Sequence, residues 1–398
     1  MGRKLGVALA AVFVVAAGVV GWRLFSAEPD AGPADLTARL TDYWTSSQHE
    51  LYAYPEWWTD GRSLARFAEA AGRLEVRPMG PAGGLEQPST VRTLGQGDGV
   101  KPRALAVTPG DGGRRAFVAV GIHEAPEGAE QQPVLAWTAE LEPSKGLPDL
   151  APVELPVKVE PTTSSESIIT VDAAIMSVAE QPAVAVVQVH QGDSAQLVTC
   201  EIGAGPCEWK AATAPAGGGY VSLGALGRGI VAVTDEARPT IWSASDASLD
   251  WTRIGQAPKG FRSARIQDGA DGATLIWQAK SDIAIQTVER DQVTTAVAEA
   301  KVPGDPDRFE TALRLGDQWY LGGSTAGDPD AYVGYRPAAA GLWALDGDRW
   351  RRISDPLLTK QVDQSFVALL AGDKDELVGV TASVVLDTEL FWRFAGPS

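Results

Sequence analysis

Between about residues 102 and 394 one pattern recurs: an apolar strand, a Gly/Asp turn, a second strand, then a hairpin that carries tryptophan. It constrains the chain more than any other feature, because a lone hairpin cannot bury its apolar faces and must stack with copies of itself. The first half of the unit runs from residues 105–107 into 117–120, then 168–171 into 184–187, 223–226 into 230–233, 265–266 into 275–277, 313–315 into 319–321 and 367–370 into 377–380. Gly and Asp at these joints supply the positive φ that tight hairpins require. The second half carries Trp137, Trp242, Trp251, Trp343, Trp350 and Trp392. A spacing of roughly 40–60 residues with four strands per unit is the period of a propeller blade. The predicted fold class is therefore all-β, a β-propeller over residues 75–398. Six blades are countable, with seven as the alternative. The last unit lacks a fourth strand, and a segment near 74–76 or 91–92 is expected to supply it, shutting the ring and removing its exposed edges.

Ahead of the propeller, residues 1–25 read as a transmembrane signal-anchor. Arg3 and Lys4 precede an uncharged apolar run from Leu5 to Trp22, and Arg23 follows it. The run has about the length of a bilayer-crossing helix, and its basic N-terminal flank favours an N-in orientation. A single-pass protein of the cell membrane is expected, with the C-terminal domain outside the cytoplasm. A cleaved signal competes with this reading, but Phe25-Ser26-Ala27 matches the small-residue cleavage pattern poorly. Residues 26–33 form a short polar linker. Residues 34–74 read as helical: Leu36, Leu40, Tyr43 and Trp44 share one helical face, and Leu64, Phe67, Ala68 and Ala71 share another behind an N-cap at Asp60 or Ser63. Residues 80–99 are Gly-, Pro- and Gln-rich and read as loop, with a strand near Val91.

Charge narrows the partners. The chain of 398 residues carries a formal charge of −17, and the part beyond the anchor is more negative still, since the anchor holds only basic charges. Such a body repels phosphate backbones, so nucleic acid is not an expected partner. Asparagine is absent, which leaves no N-glycosylation site.

The two cysteines, Cys200 and Cys207, bracket a tight hairpin sequence, Glu201-Ile202-Gly203-Ala204-Gly205-Pro206. Symmetric pairing sets their Cβ atoms opposite each other at bridging distance, so a structural disulfide is expected in an exported domain. Two buried thiols are the alternative. A cysteine metal site is not expected, because no third ligand stands nearby.

In the run Trp242-Ser243-Ala244-Ser245-Asp246-Ala247-Ser248-Leu249-Asp250-Trp251 the chain resembles the Asp-box of BNR-repeat propellers, the sialidase-containing family. Asp246 and Trp251 match the box in spacing; Ala244, Ser248 and Asp250 stand at its Ser, Gly and Thr positions. The resemblance implies a propeller and a structural role for Asp246 and Trp251, the acid bonding local backbone and the indole packing between sheets. A sialidase-like activity would also need three arginines, a Tyr/Glu pair and an acid. The family's early arginine motif is missing, so no catalytic residue is assigned.

No other catalytic constellation stands out. His49, His123 and His190 have no ligand spacing, and there is no nucleophile elbow or phosphate-cradling Gly loop. Neither a metal nor a cofactor is expected. The densest aromatic cluster, Tyr52, Tyr54, Trp57 and Trp58, is the candidate binding patch, since large aromatics dominate binding hot spots. Packing against the propeller or at the bilayer surface is the alternative. The chain therefore reads as a membrane-anchored extracytoplasmic propeller that binds a protein or glycan ligand or acts as a scaffold. A glycosidase-like enzyme acting on cell-surface glycans is the second reading. N-terminal sequencing of the mature protein is expected to recover residues upstream of Ala27; a start between Ala27 and Ala34 would identify a cleaved signal instead.

Overall fold

The computed structural model describes residues 37–45, 56–70, 73–79, 92–96, 99–108, 115–124, 129–141, 150–161, 169–177, 182–203, 206–216, 219–269, 272–280, 282–289, 292–294, 297–304, 306–325, 339–353, 358, 364–372, 376–383 and 388–395. Every element among them is a strand, and the strands form seven antiparallel sheets. The first, β1 (Thr37–Thr45), leaves its sequence neighbours and joins the last sheet. Blade 1 is β2 (Glu56–Thr59), β3 (Leu64–Ala70), β4 (Arg73–Met79) and β5 (Arg92–Gln96). Blade 2 is β6 (Val100–Val107), β7 (Arg115–His123), β8 (Val134–Leu141) and β9 (Val153–Glu154). Blade 3 is β10 (Ile169–Met176), β11 (Ala183–Gln191), β12 (Ser194–Ile202) and β13 (Lys210–Ala212). Blade 4 is β14 (Val221–Ala225), β15 (Ile230–Thr234), β16 (Thr240–Ala244) and β17 (Thr252–Gln256).

Blade 5 is β18 (Ala264–Asp268), β19 (Ala273–Ala279), β20 (Asp282–Glu289) and an outer strand split into β21 (Gln292–Val293) and β22 (Val297–Lys301). Blade 6 is β23 (Pro306–Leu315), β24 (Gln318–Thr325), β25 (Ala339–Asp346) and β26 (Arg349–Arg352). Blade 7 is β27 (Gln364–Ala371), β28 (Leu377–Ser383), β29 (Thr388–Ala395) and, outermost, β1. Successive inner strands touch in the order β2, β6, β10, β14, β18, β23, β27, and β27 touches β2 again. The assembly is a closed seven-bladed β-propeller.

Apolar clusters seal each pair of neighbouring blades. One runs through blades 1 to 3, and others join blades 3 and 4, 4 and 5, 5 and 6, and 6 and 7. The last seam packs Leu64 of blade 1 against Leu370, Val380 and Phe391 of blade 7. Three tryptophans add a polar tie across a seam, each donating its indole N–H to a backbone carbonyl at the outer edge of the preceding blade. Trp137 reaches Leu94 at 3.0 Å, Trp251 reaches Thr213 at 2.9 Å and Trp343 reaches Pro303 at 2.9 Å. The rings of Trp137 and Trp343 are buried and that of Trp251 partly so, and each tie adds a hydrogen bond of about 1 kcal/mol or less.

Several expectations are corrected. Residues 34–74 are not a helical segment: where described, they are the strands β1, β2, β3 and the start of β4. The cause is burial on both faces. Leu64, Ala65, Arg66, Phe67 and Ala68 are all buried, so β3 shows no polar–apolar alternation and mimics a helical face. The blade count is seven rather than six, because the overlooked blade 1 lies in that stretch and in the region read as loop. The ring is shut by β1, whose Leu40 and Tyr43 pair with Trp392 and Leu390 of β29. The segments expected to shut it belong elsewhere: 74–76 lies inside β4, and Arg92 begins β5.

The disulfide joins Cys200 in β12 to Cys207, with Cα atoms 5.8 Å apart. The pairing is not symmetric, however: Thr199 pairs with Lys210, so Cys207 lies ahead of β13 rather than opposite Cys200. The signal-anchor, the linker, Tyr52 and Tyr54 lie outside the described residues. Among the described residues no helix is long and apolar enough to cross a membrane.

The closing strand gives a direct test. Deleting residues 1–45 is expected to expose the β29 edge, lower the thermal midpoint and promote self-association in size-exclusion chromatography. An unchanged midpoint in a monomeric variant would show that β1 is dispensable.

Candidate functional site

The inner strand of a blade is paired on one side only, so its other backbone edge faces the central channel and needs polar partners. Side chains from neighbouring blades supply them. Asp172 Oδ2 accepts from Leu223 N at 3.0 Å, and the buried Gln188 Oε1 accepts from Val221 N at 2.9 Å. Gln267 Oε1 accepts from Ala312 N at 3.0 Å and from the Thr311 hydroxyl at 2.9 Å; the Thr311 oxygen accepts in turn from Leu369 N at 3.2 Å. Asp268 Oδ1 accepts from Ala225 N at 2.7 Å. This last approach requires a glycine at 224, where a Cβ would collide with Ile266 Cγ2 and stand 3.2 Å from Asp268 Oδ1.

Blade 1 closes the channel. Trp58 donates its indole N–H across the axis to Asp268 Oδ2 of blade 5 at 2.6 Å. The β2–β3 turn follows it inward. Gly61, at φ +80°, has open space for a Cβ only up to Leu313 Cδ1 at 3.0 Å, and its carbonyl accepts from Ala371 N at 2.8 Å. Asp60 holds the turn by accepting from Arg62 N at 2.9 Å and Ser63 N at 2.6 Å. The result is a blind cup of about 480 Å³ with residues from all seven inner strands or their leading ends in its wall. That is the size of a small-molecule site.

The wall of the cup is charged. Glu56, Arg103, Asp172, Arg265, Arg308 and Glu310 line it, and each lies in the leading half of its strand. Arg265 and Arg308 both grip Glu310. Arg103 is exposed and forms no ion pair among the described residues. The Tyr220 hydroxyl bonds the Asp172 carboxylate and Ser222, and its ring meets His190 edge-on at 5.6 Å between centroids.

Burial pushes the carboxyl of Glu56 up to about 7, although Arg265 and Arg103 oppose the shift. Burial likewise lifts Asp268 to about 7, against the hydrogen bonds from Ala225 and Trp58. It lifts Asp172 to about 6, against those from Leu223 and Ala173. The Tyr220 phenol is raised by burial and by the negative charge of Asp172. Several acids titrating near neutrality in one cleft are a hallmark of functional sites.

Of the residues singled out in the sequence, Trp58 forms the floor of the cup and Trp57 lies half-buried in its wall, with the Arg66 guanidinium 5.9 Å from its ring centroid. Asp246 and Trp251 lie elsewhere, on the β16–β17 turn. Asp246 accepts from Ser248 N at 3.0 Å, and Trp251 makes the tie to Thr213. Among the described residues no three His, Cys, Asp or Glu side chains cluster as a metal site. The charged wall residues were not singled out. Their signal is a polar residue inside an apolar inner strand, as in Ile-Thr-Val-Asp172-Ala-Ala-Ile, and it can be read only once the inner strands are known.

No protein-family model matches the chain, and no curated protein matches it. Among solved structures it is similar to a chain of the mitotic checkpoint complex, at 10% identity over 92% of this chain and 98% of that one, TM-score 0.47. It is also similar to Pyrococcus horikoshii acylaminoacyl peptidase, at 12% identity over 85% and 50%, TM-score 0.42. A third is Trypanosoma rangeli sialidase in complex with 2,3-difluorosialic acid, at 11% identity over 76% and 55%, TM-score 0.37. The chain spans about half the length of the peptidase and sialidase chains. Likeness at this level carries no argument about activity.

The raised acids have a signed consequence. Each binds its proton more tightly folded than unfolded, so its contribution to stability is greatest below about pH 4 and declines as pH rises through about 7. Urea unfolding at intervals from about pH 4 to about pH 8 is expected to show a flatter stability profile for Glu56→Gln than for the parent. Identical slopes would refute the shift at Glu56.

Proposed function

We propose that the protein is a membrane-anchored extracytoplasmic propeller that acts as a binding or scaffold module, with its ligand seated in the hub cup. The observation that carries this reading is the cup itself, which has wall residues from every blade and is floored by Trp58. An aromatic face, spare guanidinium N–H groups and carboxyls suit a polar ligand such as a glycan or a protein terminus. Membrane attachment through residues 1–25 rests on the basic-flanked apolar run, and exclusion of nucleic acid rests on the negative charge. The reading involves no cofactor.

A second reading is favoured by one observation: Arg103, Arg265 and Arg308 converge on the same cup as the hydrogen-bonded Tyr220–Asp172 pair. A glycosidase-like enzyme acting on acidic surface glycans would use such a set. Two experiments separate the readings. The ectodomain, residues 34–398, used as bait on solubilised membranes is expected to retain a partner that a Trp57→Ala, Arg103→Ala variant of equal thermal midpoint loses. Retention by both would move the interface away from the cup. Turnover in a chromogenic glycoside screen, abolished by Tyr220→Phe, would favour the enzyme.

A further inference from the structure

The acids of the cup are unequally partnered. Of these acids only Glu310 is ion-paired among the described residues, and its single charge is shared between Arg265 and Arg308. Asp172 and Asp268 are held by backbone N–H groups, the Tyr220 hydroxyl and the Trp58 indole instead. Glu56, the first residue of β2, is half-buried in the wall and forms no ion pair within 4 Å among the described residues, while Arg103 on β6 stands exposed without one.

We propose that the cup takes up a carboxylate-bearing ligand together with one proton, so that acidification tightens binding. The inference rests on the reading of the cup as the ligand site. Arg103 is the guanidinium left over for an incoming anion, and a carboxylate placed there brings a second negative charge beside Glu56. Two carboxylates in one desolvated site do not both stay ionised, so one proton is drawn from solvent onto Glu56, and no bond of the ligand breaks. The neighbours of Glu56 set the balance. Arg265 on β18 and Arg103 on β6 favour its ionised form; Asp172 on β10 and Glu310 on β23 favour its protonated form. Arg308 on β23 is engaged by Glu310. Asp60 and Asp268 lie at the floor, and the Tyr220 hydroxyl is engaged by Asp172. A ligand carboxylate on Arg103 offsets one of the two groups that keep Glu56 ionised.

A carboxyl titrating at about 7 holds its proton in about one-tenth of molecules at about pH 8, so affinity should rise about tenfold between about pH 8 and about pH 5. Calorimetry on the purified protein, with glucuronate as the probe and glucose as its uncharged counterpart, tests this. Two buffers of different ionisation heat at each pH count the protons. The expected result is binding of glucuronate alone, about tenfold tighter at the lower pH, with uptake of about half a proton per ligand near pH 7 that rises toward one at about pH 8. Glu56→Gln should bind with a flat pH profile, and Glu56→Asp should restore the slope. Equal glucuronate affinity at both pH values, lost on Arg103→Ala, overturns the proton coupling and leaves the cup as the ligand site. No glucuronate binding at either pH, or binding indifferent to Arg103→Ala in a variant of unchanged thermal midpoint, overturns the reading of the cup and this proposal with it.

Discussion

The architecture depends on one long-range pairing, residues 37–45 with residues 388–395. Without it blade 7 has three strands and presents a raw sheet edge, and the seam between Leu64 and Phe391 loses its support. The entropic cost of joining such distant segments grows only with the logarithm of their separation, so closure is affordable once the blades exist. Contacts of such high sequence separation form slowly. The seams and tryptophan ties must hold the open arc together in the meantime.

Closure creates the second constraint, a ring of half-paired inner strands around an axis. Their backbone groups need water or polar side chains as partners, and here side chains from neighbouring blades supply several of them. Gln188, Gln267 and Thr311 are fully accounted for by that need. Asp172 and Asp268 serve it too, yet burial leaves both with carboxyls titrating near neutrality. Arg103 and Glu56 satisfy no inner-strand amide among the described residues, so the pairing demand of the hub does not account for them.

The legible part of this fold was the part that repeats. Pairs such as 230–233 after 223–226, punctuated by Gly227 and Gly229, announce hairpins because turn chemistry is local. Blade 1 was hidden because Phe67 and Ala68 are buried along with Leu64 and Ala65, which erases the alternation that marks a strand. The aromatic run was recognisable as unusual, but its placement was not: Trp58 owes its role to Asp268, a partner 210 residues away. The disulfide followed from compartment and spacing, whereas its offset register depended on how β13 pairs. The cup was invisible because no inner strand contributes more than two charged residues, β14 and β27 contribute none, and ring closure alone brings them together.

The floor made by Trp58 and the Asp60–Ser63 turn has a consequence for traffic. A propeller with an open bore can be threaded, and a long polymer can lie through it. Here arrival and departure share one doorway, so an occupant must leave before its successor enters. A polysaccharide or polypeptide that entered would meet the indole of Trp58 with an end or with a bent internal segment, and could not run straight past it.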